Sequence, residues 1–177
     1  MTALSDIHVL MVDDNAPMRQ LIRALARAGG IVRFSEAATA MDALDILRAT
    51  PVDLVIVDWK MRPMDGLCFT RLIRSESDSP SPYVPILMLT AHTEVSRVAA
   101  ARDAGVTGFL KKPISTQLFF DRIGNALTDT RNFIRADTFF GPDRRHVQAT
   151  WYPGPFRRAA DTGEADTFDL DDLRARA

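Results

Sequence analysis

Val52-Asp53-Leu54-Val55-Ile56-Val57-Asp58 is a nearly unbroken apolar run that stops on a carboxylate. Short runs of this kind, rich in β-branched side chains, suit a strand covered on both faces. An earlier run, Val9-Leu10-Met11-Val12, stops in the same way on Asp13-Asp14. Parallel in one α/β sheet, the two strands would bring three acids to one edge, where doubly wound proteins place their chemistry. Carboxylates held close repel one another unless a cation lies among them, so the pattern asks for a hard divalent ion, with Mg²⁺ the natural candidate.

Outward from that stretch, short apolar runs alternate with helix-period segments up to about residue 130, the pattern of repeated βα units. Strands are predicted over 7–12, 31–35, 54–57, 86–89 and 108–110, and helices over 15–28, 38–49, 65–76, 94–104 and 115–128. Asn15 and Pro17 suit a cap and first turn, Gly29-Gly30 a left-handed helix end, and Ser115 the cap of the fifth helix. Three prolines within 77–85 forbid a helix there and predict an exposed loop on the face away from the acids.

The fourth strand ends in Thr90-Ala91 and the fifth in Phe109-Leu-Lys-Lys-Pro113. A parallel sheet carries all these ends to one edge, adding a hydroxyl and an ammonium to the acids. Phosphoryl transfer to a carboxylate needs this set: Asp58 as nucleophile, a divalent ion between the acids and a phosphoryl oxygen, and Thr90 with a lysine on the remaining oxygens.

At these residues the chain resembles the receiver domain of two-component response regulators, over about residues 5–129. The resemblance implies that Asp13 and Asp14 are the metal-binding pair and Asp58 the phosphoacceptor. The phosphate contacts would be Thr90, the backbone of Ala91, and Lys112, with Phe109 as the aromatic switch. It adds the backbone carbonyl of Lys60 as a metal ligand alongside Asp13, Asp14 and Asp58, with Mg²⁺ as cofactor. The implied fold is the flavodoxin-like (βα)5 arrangement with a five-stranded parallel sheet in order 2-1-3-4-5, of which receivers are themselves the usual example. One departure lies after Asp58, where Met61-Arg62-Pro63 replaces the family's usual Met-Pro. The spacing from Asp58 to Gly66 is kept, so the turn is expected to survive with altered geometry. Lys60 and His92 are potential cations beside the phosphoryl group, and both are expected to tune its loss to water, making self-dephosphorylation slow.

Composition limits the alternatives. A formal net charge of -1 gives no global reason to bind nucleic acid. The start of the chain has no long apolar stretch, so a cytoplasmic location with no membrane role is expected. Cys68 is the single cysteine, so no internal disulfide can form, and it fits a small core position. His8 in a strand and His146 in the tail read as structural or solvent-facing.

Past about 129 the apolar period fades. The expected organisation is a receiver over 1–130 and a loosely packed or non-globular tail over 131–177. Phe139-Phe-Gly-Pro-Asp-Arg-Arg145 nearly recurs as Tyr152-Pro-Gly-Pro-Phe-Arg-Arg158. Residues 131–158 hold six Arg against two Asp, and 159–177 hold two Arg against six acids. The tail either folds back on itself electrostatically or stays disordered. No output domain is evident, so a stand-alone regulator is expected, taking its phosphoryl group from a histidine kinase or histidine phosphotransferase and acting on an unknown protein target. A DNA-binding regulator is disfavoured by the missing helical period. An aspartyl phosphatase would need a second acid two residues after its nucleophile, and Asp13 is followed by Asp14, Asn15 and Ala16 instead.

Overall fold

In the computed structural model, residues 4–75, 79–91, 95–136 and 139–143 are described. Five parallel strands, β1 (His8–Val12), β2 (Arg33–Ala37), β3 (Leu54–Asp58), β4 (Ile86–Thr90) and β5 (Gly108–Lys111), form one sheet in the order β2-β1-β3-β4-β5. They alternate with α1 (Ala16–Ala28), α2 (Ala40–Ala49), α3 (Gly66–Ser75), α4 (Val95–Asp103) and α5 (Thr116–Leu127).

The period of two along each strand divides the core. Leu10, Val12, Val55, Val57 and Met88 point to one face, where they pack with Ala43, Leu44 and Leu47 of α2 and Phe69 and Ile73 of α3. Their neighbours Val9, Met11, Leu54, Ile56 and Leu87 point to the other, against Ile22 and Ala26 of α1 and Phe119 and Ile123 of α5. Both faces are covered, which is why β1, β3 and β4 are apolar throughout rather than alternating. Asn15 caps α1 by accepting from the Met18 amide, and Ser115 caps α5 by accepting from the Leu118 amide.

Two local readings change. The second strand starts at Arg33 rather than at Ile31. Ile31 is fully buried, but it closes α1: its amide donates to the Ala26 carbonyl at 3.0 Å and that of Gly30 to Arg27 at 3.0 Å, with Gly30 at φ 89°. This is a Schellman ending, whose apolar residue after the glycine mimics the start of a strand. Cys68 is exposed rather than in the core, because the inward positions of α3 go to Phe69, Thr70 and Ile73. The adjacent Asp65 carboxylate raises its thiol pKa, so Cys68 stays protonated.

Beyond α5 the chain forms an antiparallel hairpin of β6 (Phe133–Ala136) and β7 (Phe139–Pro142), an element the fading apolar period did not signal. Its Phe133 and Phe140 rings meet Tyr83 edge-on at 5.2 Å each. Arg131 donates to the Thr107 carbonyl just before β5. Gly105 has φ 93°, and a Cβ there would lie 2.7 Å from the Phe140 carbonyl, so the hairpin sits where only a glycine lets two backbones approach. The hairpin contacts residues that precede β4 and β5, at the opposite end of those strands from Asp58. The second Arg-Arg segment, 152–158, lies outside the described residues, as does the acidic stretch after it.

Candidate functional site

The carboxyl ends of β1, β3, β4 and β5 meet as the parallel order requires. Asp58, the last residue of β3, is only 6% exposed, and both of its carboxylate oxygens are held. Lys112 Nζ donates to Oδ1 at 2.8 Å and the Lys60 amide to Oδ2 at 2.9 Å. Lys112 reaches Asp58 because it directly follows β5 and its amide donates to the Thr90 carbonyl at 2.9 Å, which ties the ends of β4 and β5 together. Thr90 is buried at the end of β4. Ala91 is exposed just beyond it. Phe109 is half-buried and packs beside the core on the α2–α3 face. His92 lies outside the described residues.

Asp13 is 1% exposed. Its Oδ1 accepts from the Asn15 amide at 2.8 Å, while its Oδ2 is buried with no hydrogen-bond partner. Burial raises the pKa of this carboxyl, and the nearby charges of Asp58 and Asp14 add to the rise, against the Asn15 amide and Lys112. A buried, unpartnered carboxylate oxygen facing another carboxylate is what a cation would satisfy. Asp14 is exposed, and its Oδ2 accepts from the Arg62 amide at 3.2 Å. Among the described residues no three His, Cys, Asp or Glu side chains gather into a ready-made cage. Mg²⁺ does not need one: it binds through one or two carboxylates and completes its shell with waters and phosphate oxygens. Asp13, Asp58 and the adjacent backbone therefore fit Mg²⁺ better than they fit Ca²⁺, which takes six to eight protein and water oxygens.

Two supports escaped the sequence reading. Arg19 Nη1 donates to the backbone carbonyl of Asp13 at 2.7 Å, and Glu36 at the end of β2 holds Arg19 and Arg23 at 3.3 and 2.6 Å. Their only sequence signal is an arginine one turn into α1, which could equally be a solvated charge. The loop after Asp58 keeps its closure despite the displaced proline, with the Gly66 amide donating to the Trp59 carbonyl at 3.0 Å. A Cβ on Gly66 would lie 2.2 Å from the Asp58 carbonyl oxygen, and a backbone atom cannot rotate aside. Gly66→Ala is expected to destabilise the fold by about 1–3 kcal/mol, the range for overpacking, and to displace the Asp58 backbone. Thermal melting together with the shift of the Asp58 amide resonance checks it; an unshifted resonance would contradict this account of Gly66.

The model of the response regulator receiver domain matches residues 9–124. The chain belongs to the response regulator receiver family. It is 33% identical over 115 residues to the chemotaxis protein CheY of Pseudomonas aeruginosa, covering 65% of this chain and 91% of that one. It is 30% identical over 118 residues to CheY-3 of Vibrio cholerae, covering 67% and 89%. Among solved structures, CheY4 of Vibrio cholerae superposes with a TM-score of 0.64 at 29% identity, over 68% of this chain and 98% of that one. This is thus a CheY-like receiver of two-component signalling with the flavodoxin-like sheet order. The family model ends at residue 124, before the hairpin of β6 and β7. No helix among the described residues is long and apolar enough to cross a membrane.

Proposed function

We propose that this receiver is a phosphorylation switch in which Asp58 accepts a phosphoryl group from a histidine kinase or histidine phosphotransferase. The observation that carries this reading is the pairing of Asp58 with Lys112 at 2.8 Å beside the unpartnered Oδ2 of Asp13. In the transfer, the P–N bond of a phosphohistidine breaks, a P–O bond to the Asp58 carboxylate forms, and the imidazole leaves with the bonding pair. Asp13, with Asp14 and the Lys60 carbonyl, would hold Mg²⁺. Bound there, the ion supplies positive charge to the carboxylate and phosphoryl oxygens.

Lys112 already donates to Asp58, so it needs only a small shift to follow the new charge onto a phosphoryl oxygen. Thr90 and the Ala91 amide take other phosphoryl oxygens. Movement of Thr90 opens space into which half-buried Phe109 turns, changing the surface around α4, β5 and α5 that a protein target reads. Lys60, exposed two residues past Asp58, screens the phosphoryl group from water together with His92. The protein acts in the cytoplasm, with the tail after about residue 130 as an appendage to the receiver.

Incubation with Mg²⁺ and acetyl phosphate, followed by intact mass, tests the reading. The expected result is a gain of one phosphoryl group that disappears in Asp58→Asn and in excess EDTA. A gain that persists in Asp58→Asn would overturn the assignment.

A further inference from the structure

The hairpin does more than extend the fold. Between α3, the end of α4 and the hairpin lies a cleft of about 580 Å³. Its charged lining is Arg71, Arg74 and Arg135 against Asp103, and Phe139 and Phe140 supply apolar wall. Arg74 is 4% exposed, and its guanidinium donates to the carbonyls of Gly105, Pro82 and Val84 while lying 5.2 Å from the Phe133 ring. Arg135 is held against the wall over the Phe140 ring at 4.6 Å. None of the three arginines pairs with a carboxylate among the described residues. Among the described residues the Arg74 guanidinium is met by carbonyl oxygens and a ring face rather than by a carboxylate, so its positive charge adds to that of Arg71 and Arg135 in the cleft, where low-dielectric walls focus the field.

The opposite charge lies further along the same chain. Residues 159–177 carry six acids against two Arg, interspersed with Phe168, Leu170 and Leu173. Residues 144–160 connect them to the end of β7, shortly after the cleft residues Phe139 and Phe140, and span about 55 Å when extended. The linker leaves the fold beside the cleft itself, so covalent connection keeps the acidic segment in its neighbourhood.

We propose that the cleft between α3, α4 and the hairpin is a docking site for the acidic segment 161–173 of the same chain. Its carboxylates take Arg71 and Arg135, and its apolar side chains meet Phe139 and Phe140. The site is independent of the phosphoacceptor reading, since it lies at the opposite end of the strands from Asp58.

The test uses the full chain with Cys68→Ser and a nitroxide on Ala175→Cys. Amides of residues 71–75, 103–105 and 135–136 are expected to lose about half their intensity or more. That loss should vanish in Arg71→Gln/Arg135→Gln, in about 0.5 M salt, where screening is short-ranged, and in a variant with the six tail acids changed to Asn or Gln. The tail variant alters no residue of the receiver or hairpin, so the test stands even if the arginine variant fails to fold. Four results would overturn the proposal. Broadening confined to residues 144–158 means that the tail pairs with its own arginines. Cleft broadening that survives neutralisation of the tail acids removes the electrostatic basis. Broadening seen only between a labelled and an isotopically enriched chain makes the occupant a second copy. Cleft amides that shift with inorganic phosphate but show no tail broadening mark a site for a free anion.

Discussion

Asp13→Asn is expected to abolish the response of this receiver to Mg²⁺ and, at the same time, to make the metal-free protein more stable. Asparagine keeps the oxygen that accepts from the Asn15 amide and removes the charge that burial and Asp58 disfavour. A carboxyl whose pKa is raised in the fold binds its proton more tightly there than in the unfolded chain. Stability therefore falls as pH rises from the unfolded value through the raised folded one, and the full penalty is present above the latter. Asn cannot ionise, so it escapes that penalty, and the melting temperature in EDTA should rise. In the wild type, Mg²⁺ at about a hundred times its dissociation constant adds roughly 2.7 kcal/mol, or about 5–10 °C for a chain of this size. Because the ion displaces the Asp13 proton, its affinity should increase with pH through the raised pKa. Melting curves with Mg²⁺ and with EDTA read both effects. An Asp13→Asn protein that is still stabilised by Mg²⁺, or is less stable than wild type in EDTA, would place the ion elsewhere.

The parts of this site that lie at strand ends could be read from the sequence, because a strand end has one address in a parallel sheet. Asp58, Thr90 and Lys112 each follow an apolar run, and the sheet order then brings Lys112 to Asp58. What holds the site in place was not readable in that way. Arg19 reaches the Asp13 carbonyl through the register of α1 on β1, and Glu36 through the pairing of β2 with β1, neither of which a local pattern records. The misplaced start of β2 has the same origin, since Ile31 is apolar whether it begins a strand or closes a helix. The hairpin escaped because its stabilising contacts are a few aromatic rings and the arginines Arg74, Arg131 and Arg135, not a periodic face. Gly141-Pro142 of the first tail repeat ends a four-residue strand, a position where the missing proline amide is tolerated.

Arg74→Ala is expected to cost about 3–4 kcal/mol and to release the hairpin from the receiver. The side chain is the joint of that region: it ties the end of α3 to the carbonyls of Pro82 and Val84 before β4 and to Gly105 before β5, and it lies against Phe133 of β6. Hydrogen bonds from a charged donor contribute about 1.5–3 kcal/mol each, but they will not be lost in full, because the adjacent cleft lets water reach the exposed carbonyls. Burial lowers the guanidinium pKa to about 9, still above neutrality, so the wild-type charge persists at pH 7 and its carbonyl contacts with it. Arg74→Met separates the causes, since it keeps the stem and removes the donors. If hydrogen bonding dominates, Met and Ala should be destabilised alike, each losing roughly 10 °C in melting temperature, and the amides of 133–136 should exchange faster than those of β1 and β3. A Met variant as stable as wild type would instead assign the joint to packing of the arginine stem.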